Sequence, residues 1–229
     1  MKKSVLLYHL YPKSYWKELT LKLLSNIPHN DIFIHVSLDW MDKLFRQKQI
    51  RKFLLQIPKV KEIYFSDNDK KLGEVIGFNL LKTKIDFTSF SLLTYMHSKG
   101  VTKPDNKNIS DWVELMRYFQ MDKFDLCKKA FSEGYCLYGV KLAKYNGGER
   151  MLAYKHCDYW YGGNFVSCNL DLLREKFIST PIAKDYYGLE GFWGNLCPVE
   201  KAYSAHETGS LYDTPYPEHL YKDQHLNME

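Results

Sequence analysis

The 229-residue sequence contains no stretch of the roughly 20 apolar residues that a helix needs to cross a bilayer, so no membrane span is expected. Its start, MKKSVLLYHLYPKSYW, offers two lysines and a brief apolar run, but Tyr8, His9 and Pro12 interrupt it before a signal-peptide core can form. The five cysteines (Cys127, Cys136, Cys157, Cys168 and Cys197) are odd in number and lack any CxxC spacing. That pattern suggests neither a zinc knuckle nor a disulfide framework, and a reducing cytoplasm fits it best. Internal repeats and low-complexity tracts are missing as well. No block of like charge occurs either: 32 basic and 27 acidic residues give a net charge of +5, with the lysines scattered. Such a balance weighs against nucleic acid as a partner and favours an anionic small ligand or the neighbourhood of a membrane surface. The expected location is the cytoplasm, with peripheral association at the inner face of the membrane as its furthest extension.

Apolar residues, by contrast, are plentiful. At 45% hydrophobic the chain can fill a sizeable core, and most of its 16% aromatic residues must pack there. Strand-like and helix-like segments alternate through the first 100 residues. Strands are expected at Ser4–Tyr11, Asp31–Leu38, Lys61–Phe65 and Phe90–Met96, and helices at Tyr15–Ile27, Trp40–Ile57 and Lys71–Lys84. This alternation predicts an α/β fold with a mostly parallel sheet flanked by helices and right-handed crossovers. A polar stretch, VTKPDNKNIS, follows, and Ser110 or Asp111 could cap a long helix running to Gly134. Further on, Tyr135–Leu142 and Val199–Ala205 read as strands, and Asn146-Gly147-Gly148 as a turn. Helices are expected near Leu170–Phe177 and Leu189–Leu196, and the tail from Thr208, with Pro215 and Pro217, is irregular.

The segment around which the rest is organised is SFSLLTYMHSKG, Ser89 to Gly100. It reads as a buried strand that delivers His97, Ser98 and Lys99 to its carboxyl end, where open α/β sheets bind their ligands. Lysine supplies a flexible cation for a phosphate, histidine a donor or a metal ligand, and serine a further donor. Asp67-Asn68-Asp69 follows the third strand and has the D-x-D form that can hold a divalent cation, although the same triplet suits a helix N-cap. Asp67 and Asn68 could equally bind a ribose or base. In Tyr161-Gly162-Gly163-Asn164-Phe165, two glycines, an amide and flanking rings suit a sugar, or else a tight turn. Glu190 lies beside Phe192 and Trp193, and a carboxylate desolvated by rings can act as a general base. His206 with Glu207 completes the set.

In this order the motifs resemble bacterial glycosyltransferases of the GT-A class, in particular small polysaccharide-biosynthesis enzymes of the rhamnan-synthesis type. The likeness rests on His97-Ser98-Lys99-Gly100, then Trp112-Val113-Glu114-Leu115-Met116-Arg117-Tyr118, then Gly162-Gly163-Asn164-Phe165, then Glu190 with Phe192-Trp193, and it spans roughly Ser4 to His206. It implies a GT-A-like, Rossmann-type sheet with a short mixed C-terminal part. One domain would cover residues 1–209, with a nucleotide-binding half (1–100), an acceptor and catalytic half (101–209) and an irregular tail (210–229). The implied activity moves a sugar, hexosyltransferase-like, from a nucleotide-diphosphate donor to a glycan or lipid-linked acceptor in cell-surface polysaccharide synthesis.

From their place at strand ends, the nucleotide and donor are expected to meet Asp67, Asn68, His97, Ser98 and Lys99, and the resemblance carries over His97 and Lys99 among them. Donor sugar or acceptor falls to Gly163, Asn164, Phe165 and Trp193, and the base to Glu190. His97 and Lys99 stand where many GT-A enzymes carry their metal-binding D-x-D. That departure leaves open whether Mn2+ or Mg2+ is needed at all, with His97 and His206 as the candidate ligands. The rival readings are a non-catalytic nucleotide- or carbohydrate-binding protein of the same fold, and a nucleotidyltransferase. The latter wants paired carboxylates for magnesium, and the sequence offers no clear pair. Donor identity, acceptor, stereochemistry and oligomeric state are not readable from it.

Overall fold

A computed structural model describes residues 2–145 and 157–222. The first half runs β1 (Lys3–Leu10), α1 (Trp16–Leu23), β2 (Asp31–Leu38), α2 (Trp40–Phe45), α3 (Gln47–Leu54), β3 (Val60–Asp67), α4 (Val75–Lys84) and β4 (Phe90–His97). The second half adds α5 (Lys107–Arg117), α6 (Phe124–Ser132), β5 (Leu137–Gly139), β6 (Leu142–Lys144), β7 (Tyr159–Tyr161), β8 (Val166–Asn169), α7 (Leu170–Ser179), α8 (Gly188–Gly194) and β9 (Ala202–Ser204).

Seven strands make one sheet in the order β3-β2-β1-β4-β8-β5-β9, and β6 pairs with β7 in a second, two-stranded sheet. β1, β2, β3 and β4 are mutually parallel, whereas β8 runs antiparallel to both β4 and β5. The expected mostly parallel α/β sheet with a mixed C-terminal part is what the chain forms. β1 and β4 read as nearly unbroken apolar runs because both faces of the sheet are covered. On one face the core gathers Trp16, Leu23, Ile50, Leu54, Trp112 and Phe119. On the other, Phe78 meets Phe177, Phe192 and Trp193 edge to face, an arrangement ring quadrupoles favour.

Several elements differ from the sequence expectation, each for a local reason. The helix expected over Trp40–Ile57 breaks at Arg46, whose guanidinium turns back to Asp42 at 2.7 Å. The long helix begins at Lys107, not at Ser110 or Asp111, because the Asn106 side chain accepts the Ile109 amide and caps it. Its course is then interrupted by a π-turn at Tyr118–Asp122, which swings Gln120 inward to donate to the Phe165 carbonyl at 3.0 Å. The strand expected over Tyr135–Leu142 is divided between two sheets as β5 and β6, with Lys141 in the left-handed region (φ 53°). The expected strand at Val199–Ala205 is one turn of 3-10 helix followed by β9. The turn expected at Asn146-Gly147-Gly148 lies outside the described residues.

The described part of the tail, to residue 222, holds one turn of 3-10 helix (Glu218–Leu220) and is packed on the body. Leu211 and Tyr221 are buried, the Tyr212 carbonyl accepts from Asn108, and the Tyr216 amide donates to Asp111.

Candidate functional site

The chain order reverses between β1 and β4: β2 and β3 lie to one side of β1, and β4 and β8 follow on the other. Ligand crevices of open α/β sheets form at such a switch point, beyond the carboxyl ends of the strands. His9, next to last in β1, stands directly opposite His97, the last residue of β4. A cavity of about 400 Å³ opens there, lined among others by His9, Tyr11, Asn68, His97, Ser98 and Lys99.

His97 is gripped from both sides. Its Nδ1 lies 2.5 Å from a Glu74 carboxylate oxygen, and its Nε2 lies 3.0 Å from the Gly163 carbonyl. Both partners are acceptors, so the site holds the ring with a donor wanted at each nitrogen, an arrangement that suits the protonated form. Glu74 is itself held by the Tyr95 hydroxyl at 2.8 Å and the Asn164 amide at 2.9 Å. Burial pushes the Glu74 carboxyl up, but His97, His9 and the Tyr95 hydroxyl override it and hold its pKa down to about 2. The carboxylate is therefore a permanent counter-ion.

His9 behaves oppositely. Burial lowers its pKa to about 4 against the pull of Glu74, so at neutral pH it is an uncharged ring stacked on His35, with the two Nδ1 atoms 3.2 Å apart. This pair fits only because position 77 of α4 is glycine. A Cβ at Gly77 would stand 2.2 Å from His35 Nδ1 and 2.6 Å from His9 Nδ1.

Lys99 completes the cationic wall. Its ammonium lies 4.1 Å from the centre of the Trp112 ring, and burial lowers its pKa while Glu190 and Glu74 support its charge. Ser98 Oγ accepts the Tyr11 amide at 2.9 Å, which ties the end of β4 to the chain leaving β1.

The other expected site residues fall into three places. Asn68 reaches the cavity and donates to Asp39, which also binds Lys13 and the Tyr11 hydroxyl. Asp67 instead lies in a neighbouring groove, exposed and paired with Lys43 at 2.7 Å. Gly163, Asn164, Phe165 and Trp193 form the wall behind His97, away from open space. Asn164 is only 2% exposed, and its amide bridges Glu74 and the Trp193 indole N–H. Gly163 has φ 87°, and a Cβ there would meet Met116 Sδ at 2.5 Å, so this turn can pass its carbonyl to His97 only as glycine. Glu190 sits in the first turn of α8, outside the lining of the cavity, but its charge acts on three lining residues, Lys99, Tyr186 and Tyr212.

The donor set does not fit a divalent ion between His97 and His206. His97 is committed to Glu74 and Gly163, while His206 binds the Tyr216 hydroxyl at 2.8 Å and stacks on Phe119. Asp67 and Asp69 diverge, the first to Lys43 and the second to the backbone amides of Lys71 and Leu72. Among the described residues, no group of three or more His, Cys, Asp or Glu side chains could hold a metal ion.

Three residues central to this geometry went unmarked in sequence. Glu74 is the only acid between Lys70 and Lys84, His9 interrupts an otherwise apolar strand, and Asp39 follows β2 at its carboxyl end. A polar residue at the carboxyl end of each parallel strand was the signal that could have found the last two.

Neither a family model nor a curated protein matches the chain. Among solved structures, residues 1–349 of TarS from S. aureus align with 78% of this chain at 10% identity and a TM-score of 0.44. The alignment covers 50% of that chain, so the present sequence spans about half of its length.

Proposed function

We propose that the protein is a glycosyltransferase of the GT-A type that takes a sugar from a nucleoside-diphosphate donor and passes it to a glycan or lipid-linked acceptor. The observation that carries this reading is His97, held against the Glu74 carboxylate, together with Lys99 in the lining of a cavity at the switch point of a parallel sheet. A leaving diphosphate gains charge as the glycosidic bond breaks, and fixed cations aimed at that charge stabilise the transition state more than the ground state. In this reading His97, locked by Glu74, and Lys99 together supply the charge that a divalent ion supplies elsewhere. Asn68, which lines the cavity and donates to Asp39, would meet the ribose or base. Glu190, whose field reaches Lys99 and Tyr212, is the base that takes the acceptor proton in an inverting transfer.

A second reading is favoured by one observation. The two carboxylates that line the cavity are both engaged, Glu74 by His97 and Asp69 by backbone amides, and Glu190 lies outside the lining. A binding protein of this fold would bind the nucleotide and transfer nothing.

Calorimetric titration with nucleoside diphosphates, with and without manganese, followed by a transfer assay on Glu190→Gln, separates the two. Binding is expected without manganese, and the Gln variant should keep donor affinity while losing about 10²-fold or more in turnover, the usual scale for acid-base catalysis. Absence of binding to any nucleoside diphosphate sinks both readings. Near-wild-type transfer by the variant moves the base to Asp158, Asp185 or Glu207 or points to a retaining mechanism.

A further inference from the structure

α2 is a helix turned inside out. Its only buried residue is Asp42, while its apolar residues face solvent: Trp40 is 69% exposed, Met41 50%, Leu44 65% and Phe45 71%. Burying a carboxylate and exposing two aromatic rings is unfavourable on both counts unless something else settles it. Inside, the carboxylate is met by Arg46 at 2.7 Å and Lys13 at 2.9 Å. Outside, a contiguous apolar face on one helix marks a surface that another phase or molecule covers.

Charge indicates which. Residues 40–54 carry Lys43, Arg46, Lys48, Arg51 and Lys52 against the single acid Asp42. Lys43, Lys48, Arg51 and Lys52 are all exposed; Lys43 pairs with Asp67 and Arg51 donates to the Ile63 carbonyl, which leaves Lys48 and Lys52 without an ion pair among the described residues. Tryptophan and phenylalanine ringed by lysine and arginine is the make-up of segments that lie in the interface of an anionic bilayer. A second copy of the chain is disfavoured, since a two-fold contact would set this basic rim against itself. The six-residue helix is also small for a stable dimer, which needs about 800 Å² from each partner.

We infer that α2, with the basic residues of α3, docks the protein on an anionic lipid surface, the Trp40, Met41, Leu44 and Phe45 side chains entering the headgroup layer. The helix stands at the lip of the candidate site: the groove lined by Trp40, Met41 and Lys43 shares Asn68 and Lys70 with the main cavity. Docking would therefore bring the cavity to the membrane, where a lipid-linked acceptor is presented. That last consequence rests on the transferase reading, and the docking itself does not.

The test uses the full chain with phosphatidylcholine vesicles, with and without phosphatidylglycerol. Trp16, Trp112, Trp160 and Trp193 are at most 7% exposed, so a blue shift of tryptophan emission on adding vesicles reports on Trp40. Co-sedimentation and a blue shift are expected with phosphatidylglycerol, reduced by salt, and the shift should vanish in Trp40→Phe. The double variant Leu44→Asp/Phe45→Asp should bind about tenfold or more weakly with an unchanged melting temperature, since both side chains are exposed. If that variant melts early, the salt and phosphatidylglycerol dependence of the native protein decides instead. Binding indifferent to phosphatidylglycerol, no binding at all, or a dimer in the absence of vesicles that the double variant breaks would each overturn the inference. None of these outcomes bears on nucleotide binding, so the two proposals fail separately.

Discussion

Two hydrogen-bonded networks run from strand to strand in this molecule, each containing histidine, and they differ in what lies at their ends. In one, His29, Thr94, Ser167 and Gln120 are all inaccessible to solvent. They are linked at 2.7 Å from His29 to Thr94, 2.7 Å from Thr94 to Ser167 and 2.6 Å from Ser167 to Gln120. Every member is neutral, and the chain ends on the carbonyls of Phe165 and Tyr138. In the other, Trp193, Asn164, Glu74 and His97 lead outward from the aromatic core to a cavity, and the last link is an ion pair. The closed network joins strands and helices without net charge. The open one invests a carboxylate in fixing a cation where a ligand can reach it. A buried charge is stable only when paired, and here the pair is left with one face toward the cavity.

Breaking the open network has the largest expected effect. Glu74→Gln keeps the shape and the link to Asn164 but removes the charged partner of the His97 ring. Removing one member of a buried pair costs about 3–5 kcal/mol, and the lower end applies because the Glu74 side chain is 23% exposed. Chemical denaturation should show a loss of about 3 kcal/mol, with weaker binding of nucleoside diphosphate in calorimetry. Unchanged stability would mean that His97 does not need its counter-ion.

Lys99 sharpens the contrast from the ligand's side. Its ammonium rests on the Trp112 ring, and among the described residues it makes no ion pair, so Lys99→Ala should leave stability nearly intact. On the transferase reading, turnover should fall about 10²-fold, the scale for losing one fixed charge-stabilising group, and donor affinity should fall less. A loss confined to KM would show that Lys99 binds the donor equally in ground and transition states. A strict requirement for added divalent metal in the native enzyme would remove the role altogether.

The sequence made the open network half legible. The alternation of strands and helices was plain because each βα unit carries its own periodicity, and His97 and Lys99 stood out because a polar pair follows the strongest apolar run. Glu74 was hidden because its role depends on an approach from β4 and from the β7–β8 turn, which no local pattern records. Asn164 was legible as a special residue and misleading as to its use. The two glycines beside it suggest an approach to ligand, whereas Gly162 approaches the Lys141 side chain and Gly163 approaches Met116, Trp112 and the ring of His97. The closed network was invisible in sequence, since Gln120 points inward only by virtue of the π-turn that interrupts its helix. The inverted polarity of α2 was hidden for the same kind of reason: periodicity shows that a face is apolar, not which way it turns.

The smallest expected effect tests the closed network through pH. Burial lowers the His29 pKa to about 3, Lys59 adding to the effect, so the folded protein leaves this ring neutral long after the unfolded chain has protonated it near pH 6.5. The contribution to stability is therefore complete above about pH 6.5 and is lost as pH falls from there toward about 3, because the unfolded state binds the additional proton. One such group changes stability by about 1.4 kcal/mol per pH unit inside that window. His9, lowered to about 4, adds a slope of the same sign over the upper part of it, and His35, lowered to about 2, over all of it, so the native protein should weaken steeply on mild acidification. Replacing His29 by Gln puts an amide near the position of Nε2, which preserves the bond to Thr94 and removes the titration. Urea denaturation of both proteins at about pH 7.5 and about pH 5 isolates the one residue, and the Gln variant should lose about 2 kcal/mol less than the native protein between those conditions. Equal losses would show that the ring is protonated in the folded state, and the closed network would then carry charge as the open one does.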